Sequence, residues 1–203
     1  MFKIALHGLA ISENVRFVAR CVSRAIGDLK MRAIGFVGIT AILVAGAAYA
    51  AEGGWQEFSY PEAGFAAQYP NRPKVEMRDY KTAQVPEGVV KERVYSFDSG
   101  CVVYAVHVAD FTRTRAEKDR TIDEAAKNLI GLGKITHDVS GRIDWNYGRE
   151  IRIEDNDGTS YTDAIFFIDK RLYQIKVTYP AVNTDPVGSS GIHFFQQAFR
   201  LLN

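Results

Sequence analysis

Any reaction chemistry in this sequence would centre on His107, which lies in the apolar segment CVVYAVHVA at residues 101–109. Cys101 lies on the same face of the predicted strand but about 20 Å away, so the two cannot form a nucleophile–base pair. A small hydrolase or lyase would have to combine His107 with Asp110 or Tyr104 in a pocket between sheet and helix. The interpretation that we favour is a histidine at the edge of the core, bonded to the backbone.

A metal site is not predicted, because ligation needs three or four converging nitrogen, sulfur or oxygen groups. His107, His137 and His193 are far apart in the sequence and form no ligand motif. The segment 155–158, Asp-Asn-Asp-Gly, lacks the spacing of an EF-hand and instead predicts a hairpin turn. The sequence therefore predicts no catalytic residue set, no metal and no cofactor.

A cluster of basic residues follows the segment 101–109 and is the candidate binding site. A run of this kind suits an anionic ligand or the acidic patch of a protein partner, although such runs usually form solvated loops. The acidic residues Glu117 and Asp119 are interspersed with it. The candidate residues are Arg113, Arg115, Lys118 and Arg120.

The surrounding pattern predicts an α+β domain, with a mainly antiparallel sheet and two packed amphipathic helices. The segment 101–109 is apolar on both faces, which predicts the central strand. Thr121 and Glu124 have the spacing of a capping box at the start of the first helix. Strands are predicted at 55–60, 65–69, 75–81, 89–97, 101–109, 135–139, 142–145, 149–154, 159–168 and 172–179, and helices at 121–131 and 190–202.

Residues 31–50, MRAIGFVGITAILVAGAAYA, have the pattern of a secretory signal peptide. Lys30 and Arg32 supply the basic region, and the strongly apolar part is about half of the roughly 20 residues that a membrane-spanning helix needs. We expect cleavage between Ala50 and Ala51, which leaves 51–203 as a single periplasmic or secreted domain without a stable membrane span. The alternatives are a retained membrane anchor and a buried core helix, of which the second fits less well because the run has no amphipathic pattern.

Residues 1–30 form an upstream extension for which three explanations stand. It is a long basic region of the signal peptide, the product of a start codon assigned too early, or an organelle transit peptide. Glu13 and Asp28 fit the transit peptide poorly, and we favour the misplaced start codon.

The net charge of the mature domain narrows the classes of partner that it can bind. Six of the 25 basic and two of the 24 acidic residues lie in 1–50, which leaves 19 basic and 22 acidic residues and a net charge of −3. A mildly acidic domain has no electrostatic reason to bind nucleic acid or an anionic membrane surface.

Cys21 lies in the leader, so Cys101 has no partner for an internal disulfide, and we expect it to be buried and inert.

The order of segments resembles that of small exported bacterial proteins of the PsbP-like α/β/α sandwich type. The resemblance is carried by the strand at Trp55–Phe58 and by the segments FAAQYP, VVYAVHVAD, GREIRIED, RLYQIKVTYP and FFQQAFRLL, which together span most of residues 55–202. It implies an accessory or binding role rather than catalysis, and it transfers no site residue.

The sequence thus supports one preferred function and two alternatives. The preferred function is an exported, non-catalytic accessory or binding protein of the bacterial envelope, which uses its sheet rim or the 113–120 loop to bind a protein or small ligand. The first alternative is a small periplasmic hydrolase or lyase that uses His107 and Asp110. The second is a carrier of a small apolar ligand, which requires an open cavity lined by Phe and Tyr.

Overall fold

The computed structural model of the protein describes residues 54–180 and 188–202. The predictions for residues 1–50, including cleavage between Ala50 and Ala51, lie outside this part of the chain. The elements are β1 (Gln56–Tyr60), a 3₁₀ turn (Pro61–Ala63), β2 (Phe65–Tyr69), β3 (Lys74–Lys81), β4 (Val89–Asp98), β5 (Val103–Asp110), α1 (Lys118–Ile130), β6 (Lys134–Ile143), β7 (Asn146–Glu154), β8 (Thr159–Ile168), β9 (Arg171–Pro180), α2 (Gly188–Gln197) and β10 (Arg200–Leu201).

Seven strands form one large sheet in the order β3-β4-β5-β9-β8-β7-β6, in which every neighbouring pair is antiparallel. Three strands form a small sheet in the order β1-β2-β10. This arrangement confirms the predicted α+β class with a mainly antiparallel sheet and two helices. The central strand is β9, however, and β5 lies beside it, so the prediction that 101–109 is the centre is wrong by one position.

The large sheet is covered on both faces. On one face α1 packs against β7 and β8 through Ile122, Ala125, Ala126 and Leu129, which recur at a helical period. On the other face the small sheet and α2 enclose a core rich in aromatic rings. The strands between these layers bury side chains on both sides, which is why their sequences are apolar at consecutive positions.

The start of α1 differs from the prediction. The helix begins at Lys118, and Thr121 lies one turn inside it, where its hydroxyl donates to the backbone oxygen of Glu117 at 2.6 Å. The Glu124 carboxylate reaches away from the helix and accepts hydrogen bonds from the loop 82–84, at 2.8 Å from the Ala83 amide. The predicted capping box is therefore wrong, because Glu124 fastens the β3–β4 loop to the helix instead.

The strand β6 also differs, because it runs straight through the predicted turn at Ser140-Gly141. The chain reverses at Asp144, whose φ of 52° is left-handed. Gly141 pairs with Gly148 across the two strands. A Cβ atom on Gly148 would collide with the ring of Phe166, so these glycines provide bare backbone for that ring rather than a turn.

The predicted helix 190–202 ends early, at Gln197, and is followed by the short strand β10. Phe199 turns into the core, where its ring stacks on Phe65 with a centroid distance of 5.4 Å. Arg200 then forms a bidentate ion pair with Glu57 at 2.8 and 3.0 Å. Pairing with β2 satisfies backbone groups that a longer helix would have left at its end.

Cys101 lies in the turn between β4 and β5 and is partly exposed, so its predicted burial within a strand is wrong. The turn is closed by hydrogen bonds between Ser99 and Val102, and Val102 is the residue that is fully buried there.

In the described residues, no helix has both the length and the apolar character needed to cross a membrane.

Candidate functional site

A groove of about 490 Å³ runs between α1 and the β6–β7 end of the large sheet. It exists because α1 covers β7 and β8, whereas β6 extends beyond the helix. The groove carries both signs of charge together with an aromatic ring. Its lining residues are Lys118, Asp119, Ile122, Asp123, Asp138, Val139, Ser140, Tyr147, Gly148 and Arg149.

The floor of the groove is held by Arg149. Its guanidinium donates to both carboxylate oxygens of Asp138, at 2.8 and 2.7 Å, and approaches Asp123 on α1 at 3.4 Å. The hydrogen bonds from Arg149 lower the pKa of Asp138, and the same bonds raise the pKa of Arg149. This network ties β6 and β7 to the helix and leaves Lys118 and Asp119 on the opposite wall.

The strand β6 is unusually open for a strand of ten residues. It is the last strand of the large sheet in the described part of the chain, and every residue from Lys134 to Ser140 is exposed. The following turn presents Trp145, which is 88% exposed, and Tyr147 is 63% exposed. The guanidinium of Arg142 lies 5.9 Å from the centre of the Trp145 ring.

The four predicted basic residues make different contacts in the structure. All four are exposed, and Arg120 pairs with Glu117 at 3.2 Å. Burial acts to raise the pKa of the Asp110 carboxyl, but hydrogen bonds from Thr112 lower it overall. The nearby charge of Arg113 adds to that lowering. Lys118 is the member of the set that lines the groove, and Arg115 extends from the preceding loop.

His107 has an acidic partner that the sequence did not indicate. Its Nδ1 lies 3.2 Å from Oε1 of Glu92 on the neighbouring strand β4, and its side chain is 16% exposed. Burial lowers the pKa of His107, while the hydrogen bond to Glu92 opposes that shift. Because the ring contacts Glu92, the predicted bond to backbone alone is wrong.

A second buried carboxylate lies on the same face of the sheet. Asp163 is 0% exposed, and its Oδ2 accepts a hydrogen bond from Gln174 Nε2 at 2.8 Å and faces Lys176 Nζ at 3.7 Å. Oδ1 of Asp163 has no hydrogen-bond partner among the described residues. Burial raises the pKa of Asp163, and Lys176 offsets part of that rise.

Asp110 and Tyr104 lie on the opposite face from His107, because side chains alternate along β5. Tyr104 packs its ring between Trp55 and Phe195, with centroid distances of 5.1 and 5.3 Å. The structure therefore does not bring His107, Asp110 and Tyr104 together into one site.

A cavity of about 390 Å³ lies on the face occupied by α2, between that helix and β6, β7 and β8. Phe166 and Phe199 contribute rings to its wall, together with the polar side chains of Glu150, His193 and Gln196. His193 is thus on a different layer from His107. Among the described residues, no group of three or more His, Cys, Asp or Glu side chains is arranged to hold a metal ion.

The groove and the Glu92–His107 pair were missed by sequence reasoning for different reasons. Residues 134–143 lack the apolar alternation of the other strands, and that pattern could have identified an open edge strand. The contact between Glu92 and His107 depends on the register of β4 against β5, for which neither residue carries a local signal.

Comparison with known proteins adds a likeness of fold. No protein-family model matches the chain, and no curated protein matches it. In structure, the chain is similar to cyanobacterial PsbP (CyanoP) from Synechocystis sp. PCC 6803, known from a solution structure. The match covers 83% of this chain and 99% of that chain at 14% sequence identity, with a TM-score of 0.47.

Proposed function

We propose that the protein is an exported, non-catalytic module that binds a protein partner through the groove between α1 and the β6–β7 hairpin. The observation that carries the proposal is the open end of the large sheet, where a groove of about 490 Å³ lies beside an exposed edge strand. Export is supported by the signal-peptide pattern of residues 31–50.

The composition of the groove suits an extended segment of polypeptide. Tyr147 offers a largely exposed ring with a hydroxyl, a combination that frequently anchors protein interfaces. Lys118 and Asp119 add charges of opposite sign on the helical wall, which would fix the register of a partner. Among the described lining residues there is neither His nor Cys, and the buried His107 does not line the groove.

The decisive experiment is a comparison of capture by matched variants of the full chain. Wild-type protein, a groove variant (Tyr147→Ala with Lys118→Glu) and a control variant (Met77→Ala with Lys91→Glu) are immobilised and exposed to extract of the native envelope. The control alters a cavity of about 380 Å³ at the other end of the sheet. We expect one protein to be retained by wild type and control and lost by the groove variant. Equal recovery by all three would refute the proposal.

Export is tested separately by mass spectrometry of the protein recovered from the envelope fraction. Cleavage at the predicted position gives an N-terminus at Ala51. Peptides that still contain Ile39 or Leu43 in the mature protein would contradict removal of the leader and favour a retained anchor.

A further inference from the structure

The outer edge of β6 adjoins the groove, which is lined in part by Asp138, Val139 and Ser140 of the same strand. β7 pairs with one side of β6, and no described strand pairs with the other. Backbone amide and carbonyl groups along an unpaired edge are a template for a further strand, and proteins commonly protect such an edge with charges or irregularities. The groove opens on the face of the hairpin, so a strand added at this edge would lie beside the groove and not within it.

We infer that two copies of this chain pair their β6 edges in an antiparallel, two-fold symmetric dimer centred on Ser140. The regular part of β6 is bounded by a bulge between Ile135 and His137 and by the turn that follows Ile143. The uninterrupted run is therefore 137–143, and Ser140 is its midpoint. In an antiparallel pair about that midpoint, Ser140 lies opposite Ser140 of the second copy.

Charge supports this register. With Ser140 at the centre, Asp138 of each copy lies opposite Arg142 of the other. Both residues share the face of Ser140; Arg142 is exposed and the Asp138 side chain is 31% exposed. A register centred on Asp138 would place two carboxylates opposite each other, and one centred on Arg142 would oppose two guanidinium groups. Asp138 already holds Arg149, but a carboxylate has acceptor positions for a second donor.

The centre of the contact is sterically open. Ser140 and Gly141 are small, and Gly141 lies opposite Val139 of the second copy, so side chains do not obstruct the approach of the two backbones. The two-fold axis of such a pair is perpendicular to the sheet, and both copies of α1 then lie on the same side. The dimer and the proposed partner site both use β6, but edge pairing depends on its outer backbone groups, whereas the partner site also includes Tyr147 and Lys118.

Site-specific cross-linking tests the register directly. Ser140→Cys is introduced into the full chain together with Cys21→Ser and Cys101→Ser, and the protein is mildly oxidised. Directly opposite residues have Cα atoms about 4.5–5.5 Å apart, within reach of a disulfide. Thr136→Cys in the same background is the control, because its two copies would be about 27 Å apart. We expect a covalent dimer for the Ser140→Cys protein and none for the Thr136→Cys protein. Absence of that dimer, or equal cross-linking at position 136, would overturn the inference.

Sedimentation of the cysteine-unmodified chain provides an independent measurement. We expect a concentration-dependent dimer whose dissociation constant rises about tenfold with Arg142→Glu, which opposes Asp138 with a like charge at two symmetric positions. Arg142→Lys keeps the charge and should change the dissociation constant little. A wild-type protein that stays monomeric, including one whose edge accepts a foreign peptide strand instead, would overturn the dimer. Failure to capture a protein from the envelope extract, with dimerisation intact, would refute only the function proposed above.

Discussion

The two faces of β5 and β9 bury different kinds of side chain. Under the small sheet, β5 places Tyr104 and Val106 in a core of rings and aliphatic groups. On the face toward α1, the same two strands present His107, Gln174 and Lys176, which take part in contacts with two buried carboxylates. The same two strands supply both faces, so the difference between the faces lies in their alternating side chains and not in which segment of the chain forms them.

The contrast separates two contributions to the stability of the fold. Burial of apolar surface is favourable and largely independent of pH. Burial of ionisable groups costs free energy unless every atom is paired, and it makes stability depend on protonation. We therefore expect substitutions on the aromatic face to have the larger effects and substitutions on the polar face to change the response to pH.

The largest effect is expected for Phe195→Ala. Phe195 is fully buried and packs against Tyr69 and Tyr104, with centroid distances of 5.0 and 5.3 Å. Its removal leaves a cavity and should lower the free energy of unfolding by about 3–5 kcal/mol, measured by chemical denaturation. Phe194→Ala is the matched control, since Phe194 is 39% exposed and should cost much less. Similar losses for the two variants would contradict the aromatic face as the main source of stability.

A smaller effect, with a distinct pH dependence, is expected for Asp163→Asn. Because the folded-state pKa of Asp163 is raised above 3.8, its contribution to stability is fully present below that pH and is lost as pH rises through the folded-state pKa. The variant lacks this loss, so its free energy of unfolding relative to that of wild type should rise from acid to neutral pH.

Denaturation curves at a series of pH values measure this difference. Asp169→Asn serves as the control, because Asp169 is exposed in a turn and has a left-handed φ that Asn accepts. A difference between Asp163→Asn and wild type that does not vary with pH would show that the buried carboxylate does not titrate as the structure indicates.

The smallest effect is expected for Glu124→Ala, which removes the bonds between α1 and the loop 82–84. The free energy of unfolding should fall by about 1 kcal/mol, because the carboxylate is partly solvated. The sharper measurement is hydrogen exchange at the Ala83 amide, which donates to Glu124 at 2.8 Å and should exchange faster in the variant. Glu117→Ala, on the same helix, should leave that amide unchanged; accelerated exchange in both variants would argue against a specific bond.

The regular elements were predictable because their signals are local. The turn at 155–158 contains Gly158 with a φ of 76°, as the Asp-Gly pattern predicts, and the buried face of α1 follows a helical period. The path of β6 was not predictable, since Gly141 looks like a turn residue until the ring of Phe166 is placed against Gly148. A glycine that accommodates a distant side chain carries the same local signal as one that bends the chain.

The candidate site was predictable only in part. Lys118 was singled out for its charge, and it does line the groove, but the groove depends on how far α1 reaches across the sheet. That coverage is set by the packing of Leu129 and its neighbours against β7 and β8, which are distant in sequence. Glu92 resembles any charged residue of a half-exposed strand until the register with β5 is known.

The position of β10 has a consequence for synthesis of the protein. All seven strands of the large sheet are complete once residue 180 has left the ribosome, but β2 must wait until residue 201 for its second neighbour. Phe199, which stacks on Phe65, arrives equally late. A nascent chain that stops between these two points would carry Phe65 and Tyr173 without the ring of Phe199, and a chaperone that recognises exposed aromatic side chains would have its binding site there.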